Sequence, residues 1–494
     1  MRHSILAPLL ASVCACAHGG STPAPAPAPD AAAEPARAAL SSDDPAAPAV
    51  AAPPSPTPDP LADLREGVEA VLTAQGEAAW RGWTTGAAPD PAAWRALDAL
   101  TAPEALARLA EARAAAPEAA RPGLDRLRAY LLGERLSREA AAPAQALAAA
   151  RAAATFTWNQ RAVPLRQAAA LLAAEPEAPR RQALAAAHAA AARKLLPRQA
   201  TLDAAVAAAG ARLGYASTLD LAAALRGEDA AVLASLAEAT LTRTDAAWRG
   251  LLEALARREL SAPADRVRER DLPRLLRTTV DAAAFPAERL LAEAEATLAA
   301  LGLDLAADGR ITVDAAARPG KLTRPLAVPV RVPGDVRLSL APVAGLDAAR
   351  ALLHELGVAQ AAARTGEGTV EDRRLGAAAL PEAWGALLAG VAASPEWLAA
   401  RGLDGEAVRR EVWVAAARRL HAARTAAARV LVEVARAREP AGLAVRAAGT
   451  WQRALGHPLD AAGPAPWALE PDPLLRAADA LQAALLAAQV EAHL

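Results

Sequence analysis

One stretch in the second half of the chain decides how the sequence is interpreted: Ala351-Leu352-Leu353-His354-Glu355-Leu356-Gly357-Val358-Ala359. If this stretch is a helix, positions 354 and 358 lie one turn apart on the same face. The dipeptide His-Glu is a weak signal by itself, because such pairs are common on the surfaces of helices. Its meaning therefore depends on what surrounds it.

The stretch lacks one residue of the zinc-binding motif H-E-x-x-H. In that motif two histidines bind the metal and the glutamate activates a water molecule. His354 and Glu355 fill the first two positions, whereas Val358 stands where the second histidine would be. A valine side chain cannot coordinate zinc, and a catalytic zinc site needs three protein ligands and one open position. The histidines elsewhere beyond residue 60 lack ligand spacing: His188, His421, His457 and His493.

Three short β-type runs precede this stretch, at 311–313, 326–332 and 336–340. Pro333-Gly334-Asp335 joins the last two, which is a hairpin-type connection. Helix-type patterns dominate the rest of the folded sequence, and Ala and Leu are strong helix formers. We therefore expect a small sheet within a mainly helical protein.

Several motifs around His354 resemble, in their order and spacing, the core of the oligopeptidase-type gluzincins. This metallopeptidase family includes thimet oligopeptidase, oligoendopeptidase F and, more distantly, angiotensin-converting enzyme. The resemblance is strongest over residues 200–400. It implies a mainly α fold, a large two-lobed helical shell around a cleft, with a small β-sheet next to the former zinc helix. The motifs are Gly214–Ser217, Asp271–Arg274, Phe285–Arg289, Leu301–Asp304, Arg318–Arg324, Val330–Val336, Arg373–Gly376 and Pro395–Leu398.

The resemblance also implies a third zinc ligand, a glutamate on a downstream helix, and Glu382 lies where it is expected. The family usually has threonine before this glutamate, but here Pro381 precedes it. A purely structural reading is that Glu382 is a first-turn helix residue favoured by the helix dipole. We interpret His354 and Glu382 as vestigial metal ligands and Glu355 as a vestigial general base. The sequence thus predicts that zinc, the family's cofactor, has been lost and that no cofactor remains.

A C-terminal helix of the family carries a tyrosine and an arginine that assist the transition state or position the substrate. The corresponding stretch runs from Asp472 to Gln489. An alignment without gaps places Ala480 at the tyrosine and Gln482 at the arginine. Both substitutions agree with the loss of catalysis.

The N-terminus has the organisation of an exported lipoprotein. A basic start is followed by the apolar run 5–13 and by Cys14-Ala15-Cys16, which resembles a bacterial lipobox. We predict a signal peptide over residues 1–18 with Cys16 as the acylated residue; an ordinary cleaved signal, or acylation of Cys14, is the alternative. Ala17 follows Cys16, and the resemblance to known lipoprotein sorting signals implies anchoring in the outer membrane, facing the periplasm.

Proline and alanine dominate residues 19–60, which are predicted to be a disordered tether because they have little to bury. Residues 61–494 then form the helical, peptidase-like domain. The whole chain has 494 residues and a formal net charge of −1. Nucleic acid is excluded as a main partner, because phosphate binding needs a basic surface.

Three functions remain compatible with these patterns. The first is a catalytically inactive envelope lipoprotein that binds peptide or protein partners. In this case we expect the 338–340 strand edge to pair with a peptide backbone. The second is a divergent but active zinc metallopeptidase that cleaves oligopeptides. The third is a structural envelope lipoprotein. In each case the lipid anchor makes the membrane a partner.

Overall fold

The computed structural model describes residues 59–87, 95–438, 442–459 and 474–493. Helices account for most of these residues, as the Ala- and Leu-rich composition predicts. None of the helices in these ranges combines the length and apolarity that a membrane span requires.

The first half of the described chain is a succession of helices connected by short turns. Ser217 begins one of them, because its hydroxyl accepts the Asp220 N–H as an N-cap. The helices are α1 (Ala62–Thr85), α2 (Ala96–Leu100), α3 (Pro103–Ala115), α4 (Arg121–Glu139), α5 (Ala141–Ala153), α6 (Ala168–Ala174), α7 (Ala178–Ala192), α8 (Leu196–Arg212), α9 (Thr218–Arg226) and α10 (Ala230–Leu260).

The second half contains the helices that surround the His-Glu stretch. They are α11 (Leu272–Leu275), α12 (Leu290–Ala300), α13 (Leu346–Ala363), α14 (Val370–Arg373), α15 (Ala379–Val391), α16 (Pro395–Ala399), α17 (Gly405–Arg438), α18 (Leu443–Leu455) and α19 (Ala477–Glu491).

A two-stranded hairpin, β1 (Thr155–Trp158) and β2 (Arg161–Pro164), interrupts the first set of helices. The sequence analysis did not predict it. Its turn is made by Asn159 and Gln160, both with positive φ, the conformation that two-residue hairpins with a type I′ turn require.

The predicted sheet forms from β3 (Ile311–Asp314), β4 (Leu326–Arg331) and β5 (Asp335–Ser339), in the spatial order β3-β5-β4. β5 pairs in parallel with β3 and antiparallel with β4. Leu338 therefore faces Val313 on one side and Ala327 on the other. The prediction that the 338–340 edge is free to pair with a peptide was wrong, because β5 is the central strand.

The outer edge of β4 is also occupied. Arg374 donates hydrogen bonds to the carbonyls of Pro329 and Val330, at 3.1 and 3.0 Å, and Arg373 donates to the Val332 carbonyl. These side chains satisfy backbone groups that an edge strand would otherwise leave open.

The described part of the chain packs around two large hydrophobic cores. One joins α4, α5, α8–α11, α18 and α19, and the other joins the sheet to α12, α13, α15 and α16. Helix α17 belongs to both, with Val408 in the second core and Val414 in the first. The predicted mainly α, two-lobed architecture with a small sheet beside the His-Glu helix is confirmed.

Candidate functional site

The His-Glu stretch lies on α13, which packs beneath the three-stranded sheet. Leu352, Leu353 and Leu356 are fully buried in the core that includes Leu338 of β5. This apolar side fixes the rotation of the helix. His354 consequently faces a neighbouring helix and not the sheet, with its side chain 32% exposed.

That neighbour is α15, and glycines allow the two helices to approach closely. A Cβ atom placed on Gly357 would lie 2.6 Å from the carbonyl carbon of Trp384 and 2.7 Å from the Cα of Gly385. A Cβ on Gly385 would lie 2.8 Å from Nε2 of His354. Because real Cβ contacts are never so short, only glycine fits at either position.

This close approach brings Glu382 to His354. Glu382 precedes Gly385 by one helical turn, and its Oε2 lies 3.5 Å from Nε2 of His354. Half of the Glu382 side chain remains exposed. The structure thus places the two residues predicted to be vestigial ligands next to each other.

Glu355 is turned toward the sheet. Its Oε2 accepts the backbone N–H of Ala327 in β4, at 2.8 Å. Its Oε1 lies 3.8 Å from Nδ1 of His354. A carboxylate engaged in this way holds β4 against α13, which is a structural role that the sequence did not reveal.

Val358 is 2% exposed and belongs to the core beneath the sheet. It offers no donor atom, so the helix position that would bear a second histidine contributes only apolar packing. Among the residues that the structure describes, no group of three His, Cys, Asp or Glu side chains is arranged to hold a metal ion. The donor set of His354 and Glu382 does not fit the three-ligand requirement of a catalytic zinc.

A cation that the sequence analysis did not single out lies beside these residues. Nη2 of Arg324 is 3.8 Å from Oε1 of Glu355, and the Arg324 side chain is 36% exposed. Nη1 of Arg324 is buried and has no hydrogen-bond partner in the described part of the chain. The signal that could have indicated it is its position at the end of the Arg318–Arg324 motif, separated from β4 by Pro325 alone.

The charges at this site shift two pKa values. Burial acts to lower the pKa of His354, but the neighbouring Glu355 and Glu382 carboxylates outweigh it, so this pKa is raised. Burial raises the pKa of Glu382, and the charge of Glu355 raises it further.

The two C-terminal positions lie on α19, which packs against α15 through Ala483 and Ala487. Ala480 is exposed. Gln482 bonds away from His354, because its amide nitrogen donates to Glu228 and its oxygen accepts from Arg226. Gln482 thus joins α19 to the connection between α9 and α10.

Cys16, the predicted site of lipidation, lies outside the described residues, as do the signal peptide and almost all of the tether.

Comparisons with known proteins identify a fold but no family. No family model matches the sequence, and no curated protein matches it. Among solved structures, the chain is similar to the crystal structure of a putative oligoendopeptidase F from Bacillus anthracis str. Ames, with a TM-score of 0.56 and 12% sequence identity. The match covers 87% of this chain and 81% of that one. The chain thus has an oligoendopeptidase-like helical fold.

Proposed function

We propose that this chain is an envelope lipoprotein that uses an oligoendopeptidase-like fold to bind peptide or protein partners without cleaving them. One observation carries the proposal: the helix position for a second histidine ligand is filled by the buried Val358. His354 and Glu382 alone supply two of the three ligands that a catalytic zinc requires.

The state of Glu355 supports the same proposal. A general base must have a free oxygen within reach of the water that it deprotonates. Here one oxygen accepts the Ala327 N–H and the other faces the Arg324 guanidinium. Both oxygens therefore face donors supplied by the protein itself.

Exposed apolar side chains near the site support partner binding. Leu380 and Trp384 are 56% and 45% exposed and lie one turn apart on the same face of α15. Large apolar side chains that share an exposed helix face often mark an interaction surface. The same helix carries Glu382.

The test uses purified full-length protein and a peptide library. We expect no stoichiometric zinc by metal analysis, no chelator-sensitive hydrolysis, and retention of a subset of intact peptides. The control is Glu355→Gln, which should leave hydrolysis at the same background level.

Stoichiometric zinc together with hydrolysis that Glu355→Gln abolishes would establish the divergent metallopeptidase instead. Binding of no peptide and no envelope protein would leave only the structural lipoprotein. Either result contradicts the proposed function.

A further inference from the structure

The two carboxylates at the site are close enough to require a positive charge nearby. Glu355 and Glu382 lie on either side of His354, with oxygens 3.8 and 3.5 Å from its ring nitrogens. Neighbouring carboxylates repel each other unless a positive charge lies nearby. In metal centres the bound cation is usually the largest local charge.

Arg324 carries a permanent positive charge into this position. Its Nη2 lies 3.8 Å from Oε1 of Glu355. A guanidinium stays charged at all physiological pH values. Its second terminal nitrogen, Nη1, is buried without a partner, so the side chain is held there despite an unfilled hydrogen bond.

Backbone contacts determine where Arg324 lies. The indole nitrogen of Trp83 in α1 donates to the Arg324 carbonyl at 3.0 Å, and the Leu322 N–H donates to the Trp83 carbonyl at 2.9 Å. The buried ammonium of Lys321 donates to the Leu340 carbonyl at 2.9 Å. The loop that bears Arg324 is therefore fastened both to α1 and to the end of the sheet.

We propose that the Arg324 guanidinium takes the place of a divalent cation as the fixed positive charge beside Glu355, and that it excludes such a cation from the site. The inference rests on the proposed absence of zinc, but it adds a second cause of that absence besides Val358. Restoring the second histidine alone would leave this fixed positive charge beside Glu355.

Zinc titration by calorimetry on three variants tests this. They are Val358→His, Val358→His with Arg324→Met, and Val358→His with Arg324→Lys, which keeps the charge. We expect the methionine double variant to bind zinc roughly tenfold or more tightly than the other two, since a fixed positive charge close to the site repels a second cation even near a protein surface. Far-UV circular dichroism checks folding, and Arg324→Gln replaces the methionine variant if that one unfolds.

Equal zinc affinities of Val358→His and its uncharged double variant, with a wild type that binds no zinc, would overturn the role of Arg324 and leave the proposed function standing. Tight zinc binding by the wild type would overturn both.

Discussion

The substitution Gly357→Ala tests the feature on which the whole site depends, the close approach of α13 and α15. The added methyl carbon would lie 2.6 Å from the carbonyl carbon of Trp384 and still closer to its oxygen. Ordinary carbon contacts are about 3.5 Å, so the helices must separate by about 1 Å. Both contacting atoms belong to the backbone of α15, which cannot rotate away as a side chain would.

Two effects of opposite sign decide the magnitude. Alanine in a helix interior is favoured over glycine by about 1 kcal/mol. Overpacking of a rigid interior costs about 1–3 kcal/mol, and a clash with backbone belongs at the upper end. We expect a net loss of about 2 kcal/mol in the free energy of unfolding.

Urea denaturation followed by circular dichroism measures this loss. Gly250→Ala is the matched control, because Gly250 lies on the exposed side of α10 with nothing within 4 Å of an added Cβ. It should leave the midpoint unchanged or raise it. If Gly357→Ala were as stable as the control, the close approach would not exist and the pairing of His354 with Glu382 would lose its basis.

Three further predictions concern metal binding, anchoring and pH. In the Val358→His, Arg324→Met protein, adding Glu382→Ala should abolish the gain in zinc affinity measured by calorimetry; an unchanged affinity would show that Glu382 is not the third ligand. Metabolic labelling with a lipid precursor should mark the wild type but not Cys16→Ala, and equal labelling would contradict acylation at Cys16. Burial raises the pKa of Glu134 to about 7, so the folded state holds a proton that the unfolded chain releases near pH 4.5, and stability should fall as the pH rises between these values. Glu134→Gln should remove up to about 3 kcal/mol of that fall, and a urea midpoint with the same pH dependence in both proteins would refute it.

The helices and the three strands of the main sheet could be predicted because their signals are local. Apolar periodicity and the Pro333-Gly334 turn depend only on neighbouring residues. The adjacency of His354 and Glu382 was expected from the family resemblance, and the geometry of α13 and α15 now accounts for it physically through Gly357 and Gly385.

The order of the strands in the sheet could not be predicted from such local signals. β3 reaches β5 by a parallel pairing across a long connection, and nothing in the local pattern of Ile311–Asp314 indicates which strand it joins. The consequence was the wrong prediction of a free 338–340 edge. The β1–β2 hairpin was missed because Asn159-Gln160 lacks the glycine that usually signals such a turn.

The proximity of His354 and Glu382 does not by itself indicate a metal site. Glycines at positions 357 and 385 already allow the two helices to pack closely, so the side chains meet whether or not a cation lies between them. The other residues around the pair distinguish a zinc site from a site without metal. A site adapted to zinc would present a third donor on α13 and keep fixed cations away. This site presents Val358 in the core and Arg324 beside Glu355. The close packing of α13 and α15 is therefore separable from metal binding. A protein can keep this scaffold for binding partners without keeping the metal ligands.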